Sequence, residues 1–430
     1  MVAQIFRRIC SLFPLLSVRA LSVFLLFLSQ MMLARICTAP SEFGTYALWL
    51  TCLNILVIFI KFGTDTGAIR FLADYKGNSK NHLIGQYRLF SLNRILLISF
   101  LFSVFVVFHH IIGNPIEFPF EESILFYLVL AGFLLAHSQY RRGELLGVGR
   151  PIISELSESI LKPVLLLGWA LLIDLNSAYM ESEDLIRVHI VVLVVTSMVS
   201  LLISSRIIHN YPKLLKKELS AVKQDWVVST KGMATNVLIR QLIKSADILL
   251  CAALLDTTQV AFYVVATRLA DLVVFALTSA NLIFAPKISL LFSRGNKAEL
   301  NTLLKEASQT AFVIGGLLFL LLVFAGQYLL SLYGTEYVEG YSALIILSVG
   351  QLINSYFGPS GYLASMTGNQ DQLTKALLAS GAIAIVSYII FIPLLGIEGA
   401  ALSSMLGTIS WNILIYLKMS RLEGLRSKAF

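Results

Sequence analysis

The sequence predicts an all-α integral membrane protein with twelve transmembrane helices, arranged as two six-helix lobes around a central cavity. Three observations predict this class: the composition, a series of long apolar segments, and the way charge is distributed between them. Of the 430 residues, 57% are hydrophobic and 13% are charged, and the mean hydropathy is +0.80. Soluble domains carry about 25% charged residues, so this composition excludes a soluble, disordered or fibrous chain.

Long apolar segments recur along the chain, and a helix needs about 20 such residues to cross a bilayer. Charged residues interrupt the fifth, seventh and eighth segments, while the others are continuous. Continuous runs of this length differ from the alternating pattern of a membrane β-barrel. The sequence predicts spans near 12–34, 43–62, 89–111, 123–139, 151–173, 186–207, 227–254, 260–284, 307–326, 341–365, 373–394 and 399–417.

The connecting loops alternate in charge. The loops on one side, together with both termini, hold 24 of the 33 basic residues. The loops on the other side hold two basic and twelve acidic residues. The positive-inside rule then places both termini in the cytoplasm, as an even number of spans requires. The net charge of +8 is therefore mostly a consequence of membrane topology, and no nucleic-acid partner is expected.

The two halves of the chain resemble each other. Residues 46–70 align without a gap with residues 263–287, and the similarity continues into the loop that follows. Two parallel six-helix repeats suit transport by alternating access. The predicted parts are an N-terminal lobe over 1–208, a cytoplasmic linker over 209–225 and a C-terminal lobe over 226–430.

Ionisable residues inside the spans are costly in a bilayer, which makes each of them a candidate for a functional site. The deepest candidates are Arg19, Arg240, Lys244, Asp247, Arg268 and Asp271. The basic residues outnumber the acidic ones in this set, so a cavity lined by them favours an anionic substrate. Arginine suits phosphate because its planar guanidinium donates two parallel hydrogen bonds. The alternative is that these residues form salt bridges between helices.

Other charges in the spans have structural interpretations. Arg94 and Lys231 lie near the predicted cytoplasmic ends of their spans, so we expect their side chains to reach the headgroup region. Glu158 and Lys162 lie four residues apart, so we expect an ion pair on one helix face. The four cysteines lack metal-ligand spacing and the chain lacks a phosphate-binding GxxxxGK[ST] loop. No metal, cofactor or attached ATPase is therefore predicted.

Several short motifs occur in order along nearly the whole chain. They are Phe43-Gly-Thr-Tyr-Ala, Gly63-Thr-Asp-Thr-Gly-Ala-Ile-Arg, Tyr263-Val-Val-Ala-Thr-Arg, Tyr333-Gly-Thr-Glu-Tyr and Gly361-Tyr-Leu-Ala-Ser-Met-Thr-Gly-Asn. Together with the twelve spans, they resemble the polysaccharide transporter (Wzx-type flippase) branch of the multidrug/oligosaccharidyl-lipid/polysaccharide (MOP) exporter superfamily.

The resemblance implies a flippase that moves an undecaprenyl-diphosphate-linked oligosaccharide to the outer leaflet of a bacterial inner (plasma) membrane. It places the cavity between the first, second, seventh and eighth helices. It also implies membrane lipids, a polysaccharide polymerase and a chain-length regulator as partners, and no cofactor. The expected substrate-binding residues are Arg19, Arg240, Lys244 and Arg268. The expected residues for coupling or charge tuning are Asp247 and Asp271.

Two other function classes stay open. A drug or cation antiporter of the same fold would favour a cavity with excess acid, whereas the bases inside the spans outnumber the acids seven to four. A membrane polysaccharide polymerase or ligase needs catalytic residues on the outer face, in a sizeable loop. The predicted outer loops are short and acidic, so an enzyme is not expected.

Overall fold

The computed structural model describes residues 2–78, 80–112, 122–208, 219–425 and 427–429. Regular structure in these residues is helical, apart from one isolated bridge between Cys37 and Met180. The helices before the predicted linker are α1 (Val2–Arg35), α2 (Pro40–Lys61), α3 (Thr64–Gly77), α4 (Asn81–Ile111), α5 (Glu122–Gly147), α6 (Pro151–Glu155), a π-helical turn (Leu156–Leu161), α7 (Lys162–Leu175) and α8 (Ser182–Ile208). The later helices are α9 (Leu219–Leu254), α10 (Thr257–Ser293), α11 (Lys297–Ser331), a 3₁₀ turn (Thr335–Gly340), α12 (Tyr341–Phe357), α13 (Ser360–Met366) and α14 (Gln370–Glu423).

Grouped along the chain, the described helices make twelve long helical segments, and the predicted all-α class is confirmed. α6, the π-helical turn and α7 together make one span. Gly396 divides α14 into two spans, because its φ of 60° breaks the helical backbone. Eight helical stretches of the described residues are long and apolar enough to cross a membrane by themselves. α12 is not one of these eight, because it is only 17 residues long.

Several helices expose large apolar side chains on one face. Phe100 on α4 is 64% exposed and Phe324 on α11 is 85% exposed, each among other exposed Leu, Val and Phe side chains. Apolar surface of this extent is unfavourable in water and belongs in the hydrocarbon region of a bilayer. The chain is therefore a multi-span membrane protein.

The chain folds into two compact units. Unit 1 comprises 1–38 and 49–244, and unit 2 comprises 39–48 and 245–430. Both α2 and α9 therefore contribute residues to each unit. The repeat and its lobe boundaries stay a prediction, and residues 209–218 of the predicted linker lie outside the described residues.

In unit 1, α3 packs directly on the backbone of α5 at two glycines. A Cβ atom at Gly143 would lie 2.5 Å from the carbonyl oxygen of Asp65, and one at Gly147 would lie 2.5 Å from that of Ala68. Glycines four residues apart let two helix backbones approach closely, as in the small-residue contacts of membrane helices. The corner before α3 needs glycine too, since Gly63 has a φ of 78°.

The first turns of α9 are anchored in unit 1 by an aromatic cluster. The indole of Trp226 is fully buried, and its Nε1 donates a hydrogen bond of 2.7 Å to the hydroxyl of Tyr75. The same indole packs edge-on against Tyr87 and tilted against Phe90, with ring centroids 5.2 and 5.4 Å away. Residues 219–244 of α9 therefore belong with the earlier helices of the chain.

Two charges of the spans have partners that the sequence did not predict. The half-buried guanidinium of Arg94 donates to the hydroxyl of Thr230 at 2.9 Å, so the side chain joins α4 to α9. Glu158 accepts a hydrogen bond from the amide of Gln139 on α5 at 3.1 Å, and no ion pair links it to Lys162 among the described residues. The π-helical turn accounts for the second difference, because its wider turn shifts side chains four residues apart out of line.

Unit 2 has an apolar cluster formed by α10, α11, α13 and α14. Leu304 and Ile415 are fully buried in it, and so is Leu425, which follows the end of α14. The backbone amide of Ala429 then donates to the carbonyl oxygen of Tyr356 at 2.9 Å. The segment after α14 is thus part of the fold of unit 2.

Candidate functional site

The best-defined part of the predicted site lies at the corner between α9 and α10 in unit 2. The carboxylate of Asp256 caps α10 by accepting a hydrogen bond of 2.8 Å from the backbone amide of Gln259. Such a cap fixes the start of a helix by satisfying one of its free amides. Because only two residues separate α9 from α10, side chains about two turns from the corner on each helix can meet.

Asp247 and Tyr263 meet in this way. The Asp247 side chain is buried, and its Oδ2 accepts a hydrogen bond of 3.1 Å from the fully buried hydroxyl of Tyr263. Its Oδ1 accepts from the backbone amide of Ile248 at 2.7 Å. A buried carboxylate is tolerated only when such donors compensate for lost hydration. Both donors here are neutral, so the negative charge itself is not cancelled by them.

Two charged residues of α10 and one further tyrosine surround this carboxylate. Arg268 and Asp271 lie within electrostatic reach of Asp247, and Tyr388 of α14 lies beside Tyr263. The Arg268 side chain is exposed, whereas that of Asp271 is half-buried. Arg268 is therefore the group of this cluster that is able to contact an anion, while the two aspartates set the charge around it.

The other predicted site residues lie elsewhere. Arg240 and Lys244 lie on the part of α9 that belongs to unit 1, and both side chains are exposed. The backbone of Arg19 lies in α1, and its side chain lies outside the described residues. Unit 2 brings together Asp247, Arg268 and Asp271.

Unit 1 contains a second polar region, which the sequence did not predict. The carboxylate of Glu144 is fully buried, and its Oε2 accepts hydrogen bonds from Arg141 at 2.9 Å and from the hydroxyl of Ser204 at 2.6 Å. Its Oε1 lies 3.5 Å from Nε of Arg88. Glu144 thus ties α4, α5 and α8 together, and its two arginine partners leave this group with a net positive charge.

A neighbouring chain of contacts reaches the π-helical turn. Lys61 at the end of α2 donates to Gln139 at 2.8 Å, and Gln139 donates to Glu158 in the turn. Arg142 forms an ion pair with Glu155 at 2.7 Å. These groups link α2, α5 and the α6–α7 span at their predicted cytoplasmic ends.

One sequence signal could have revealed this polar region. Hydroxyl side chains recur every three or four residues on the otherwise apolar α8, which places Ser197, Ser200 and Ser204 on one face. All three are buried, and Ser200 donates to Ser157 in the π-helical turn at 2.6 Å. A buried polar stripe on an apolar helix needs partners on its neighbours. The predicted topology counts four bases of this polar region among the cytoplasmic loop residues, but the structure places them within helices: Lys61, Arg88, Arg141 and Arg142.

No protein family model matches this sequence. No curated protein matches it either. The fold, in contrast, matches solved structures over almost the whole chain. An inward-facing multidrug resistance transporter of the MATE family, within the MOP superfamily, has a TM-score of 0.73 at 14% identity, covering 96% of this chain and 99% of its own. This chain has the fold of MOP superfamily transporters.

Two further solved structures share this fold. The lipid II flippase MurJ, in an inward closed conformation, has a TM-score of 0.73 at 14% identity, covering 94% of this chain and 87% of its own. A MOP superfamily transporter from Pyrococcus furiosus, described by a binding pocket of reversed polarity, has a TM-score of 0.62 at 14% identity, with 93% and 92% covered. The predicted superfamily fold is confirmed by these matches, and the polysaccharide transporter branch stays a prediction.

Proposed function

We propose that this protein is a flippase for an undecaprenyl-diphosphate-linked oligosaccharide, such as an O-antigen or capsule repeat unit, and that it works by alternating access. The observation that carries this proposal is the exposure and charge of three basic residues on α9 and α10. Arg240, Lys244 and Arg268 have exposed side chains on apolar helices, and none forms an ion pair with an acid in the described part of the chain.

Uncompensated cations within a membrane are costly, by about 2.5–3.5 kcal/mol each on insertion scales. Their cost falls if they face water and bind an anion during the transport cycle. A diphosphate is such an anion, and the two arginines can each bind it through paired hydrogen bonds. The polyprenyl tail of the substrate would stay in the lipid, where it needs no polar partner.

In this proposal, the substrate enters from the cytoplasmic leaflet of a bacterial inner membrane, and both termini of the protein are cytoplasmic. Arg240 and Arg268 bind the diphosphate, with Lys244 and Arg19 adding positive charge. Asp247 and Asp271 tune these bases or carry coupling protons. A polysaccharide polymerase and a chain-length regulator would act on the product at the outer face.

The test replaces each arginine in a strain whose surface polysaccharide depends on this gene. We expect Arg240→Gln and Arg268→Gln to lower surface polysaccharide by about tenfold or more, since a charged hydrogen bond contributes about 1.5–3 kcal/mol. Arg187→Gln is the matched control, because Arg187 is exposed and pairs with acids on its own helix. Normal polysaccharide in both variants, at wild-type protein levels, would contradict the assignment of these residues.

A multidrug or cation antiporter is the second candidate. The structural similarity to a MATE multidrug transporter equals that to the MurJ flippase, with a TM-score of 0.73 for each. The buried Asp247 close to Asp271 also supplies acid that a cationic substrate would need. Loss of drug resistance with intact surface polysaccharide, after deletion of the gene, would favour this function over the flippase.

A further inference from the structure

A pocket of about 660 Å³ lies in unit 1, separate from all the residues used above for transport. It is lined by the second half of α3, the first turn of α4 and the first turns of α9. Because α2 ends and α4 begins on the predicted cytoplasmic side, the pocket opens where the membrane surface meets the cytoplasm. The charged residues that line it are Arg70, Asp74, Lys80 and Asp225.

The floor of the pocket is apolar. Phe71, Tyr75 and Leu83 are buried there, and the hydroxyl of Tyr75 is held by the hydrogen bond from Trp226. Burial raises the pKa of Tyr75, so its phenol stays neutral at physiological pH. The guanidinium carbon of Arg70 lies 5.3 Å from the ring centroid of Phe71, which positions this charge at the rim.

The four charges at the rim are balanced but do not neutralise one another by contact. No ion pair joins any of them within the part of the chain that the structure describes. Asp74 accepts a hydrogen bond from Asn78 at 2.8 Å, and Asp225 accepts one from the hydroxyl of Ser229 at 3.2 Å. Two bases and two acids held apart around one pocket are complementary to a ligand that carries both signs of charge. A diphosphate, with negative charge alone, would be repelled by the two acids.

We propose that this pocket binds the headgroup of a zwitterionic phospholipid that carries a phosphate and a primary ammonium, as phosphatidylethanolamine does. Arg70 and Lys80 bind the phosphate, and Asp74 and Asp225 accept hydrogen bonds from the ammonium. The volume suits one headgroup with its glycerol, since small-molecule pockets span about 300–1,000 Å³. This lipid is a resident ligand and does not pass through the transport site.

The test measures lipid binding to the purified full-length protein, by native mass spectrometry and by thermal unfolding after lipid is added. The probes are phosphatidylethanolamine, phosphatidylglycerol and phosphatidylcholine with the same acyl chains. We expect phosphatidylethanolamine to bind best, because phosphatidylglycerol lacks the ammonium and the trimethylated choline cannot donate hydrogen bonds. Water-soluble glycerophosphoethanolamine is a fourth probe. Binding of this soluble probe with full strength would assign the pocket to a free zwitterion, and preference for the lipid would assign it to the membrane.

Two pocket variants test the contacts with the phosphate and with the ammonium separately. We expect Arg70→Gln to lower phosphatidylethanolamine binding by about tenfold, because a charged hydrogen bond to the phosphate is lost. We expect Asp225→Asn to reverse the preference toward phosphatidylglycerol, because the rim then carries a net positive charge. Lys223→Gln and Glu306→Gln are the controls, since both residues are exposed and neither lines the pocket. Gel filtration checks that every variant is folded.

The proposal is overturned if wild-type protein binds the three lipids equally, or if Arg70→Gln binds phosphatidylethanolamine as tightly as wild type and Asp225→Asn keeps the wild-type lipid preference. Neither result depends on transport, so the flippase proposal stands or falls separately.

Discussion

The hydroxyl of Tyr263 donates a hydrogen bond of 3.1 Å to Oδ2 of Asp247, which joins α10 to the last turns of α9. Both side chains are buried, and the remaining carboxylate oxygen is held by a backbone amide. The orientation of this acid is therefore set by a neutral phenol, and its charge remains able to act on Arg268 nearby.

Removing this phenol should affect both stability and transport. We expect Tyr263→Phe to destabilise the protein by about 1–3 kcal/mol, because one oxygen of a buried carboxylate loses its donor. Thermal unfolding in detergent measures this change, and under the proposed flippase function surface polysaccharide measures the accompanying loss of transport. Tyr328→Phe is the control, since Tyr328 is 67% exposed. Equal melting temperatures for the two variants would show that the hydrogen bond does not stabilise the site.

A substitution in the buried cluster around Glu144 should lower the stability of the protein more than the loss of a surface ion pair does. We expect Glu144→Gln to destabilise the protein by about 3–5 kcal/mol, because it leaves two arginines of unit 1 without their carboxylate. The yield of folded protein and its melting temperature measure the effect. Glu183→Gln removes a half-exposed partner of the exposed Arg187 and should change neither, because ion pairs at the surface contribute little. A Glu144→Gln protein as stable as wild type would contradict a stabilising role for this buried carboxylate.

The contact between α3 and α5 predicts that alanine substitutions at two glycines change stability in opposite directions. Gly143→Ala should destabilise unit 1, because the new Cβ atom would lie 2.5 Å from a backbone carbonyl oxygen that cannot move alone. Gly168→Ala on α7 should stabilise its helix by about 0.5–1 kcal/mol, since no atom lies within 4 Å of that position. Melting temperatures of the two variants should therefore shift in opposite directions. A shift of the same sign in both would contradict the close packing of α3.

The predicted topology can be checked with single cysteines in a background without the native ones. Lys223 on α9 and Glu336 before α12 are both exposed and lie on opposite sides in the predicted topology. We expect Lys223→Cys to react with a membrane-impermeant maleimide only after the cells are opened, and Glu336→Cys to react in intact cells. The reverse pattern would place the termini outside.

The twelve spans could be predicted from the sequence because each apolar run has the length that a bilayer requires. The sequence also predicted the division of α14, because one predicted span ends before Gly396 and the next begins after it. The short helix α3 was not predicted, because its mixed composition resembles that of a charged loop. In the structure it packs closely against two glycines of α5.

The site could be predicted only in part. Asp247, Arg268 and Asp271 stood out because charge is rare inside apolar segments, and unit 2 brings them together. The role of Tyr263 was hidden, because a tyrosine in a span is common and its partner depends on the corner between two helices. Glu144 was hidden for a related reason, since its partner Ser204 lies 60 residues away in sequence.

The position of Trp226 has a consequence for dividing the protein into fragments. A fragment that ends with α8 would lack the indole that fills the space between Tyr75, Tyr87 and Phe90. It would therefore expose an aromatic cleft and bind detergent or aggregate there. Expression of the first half as a separate polypeptide should therefore extend at least to Lys244, the last residue of α9 that belongs to unit 1.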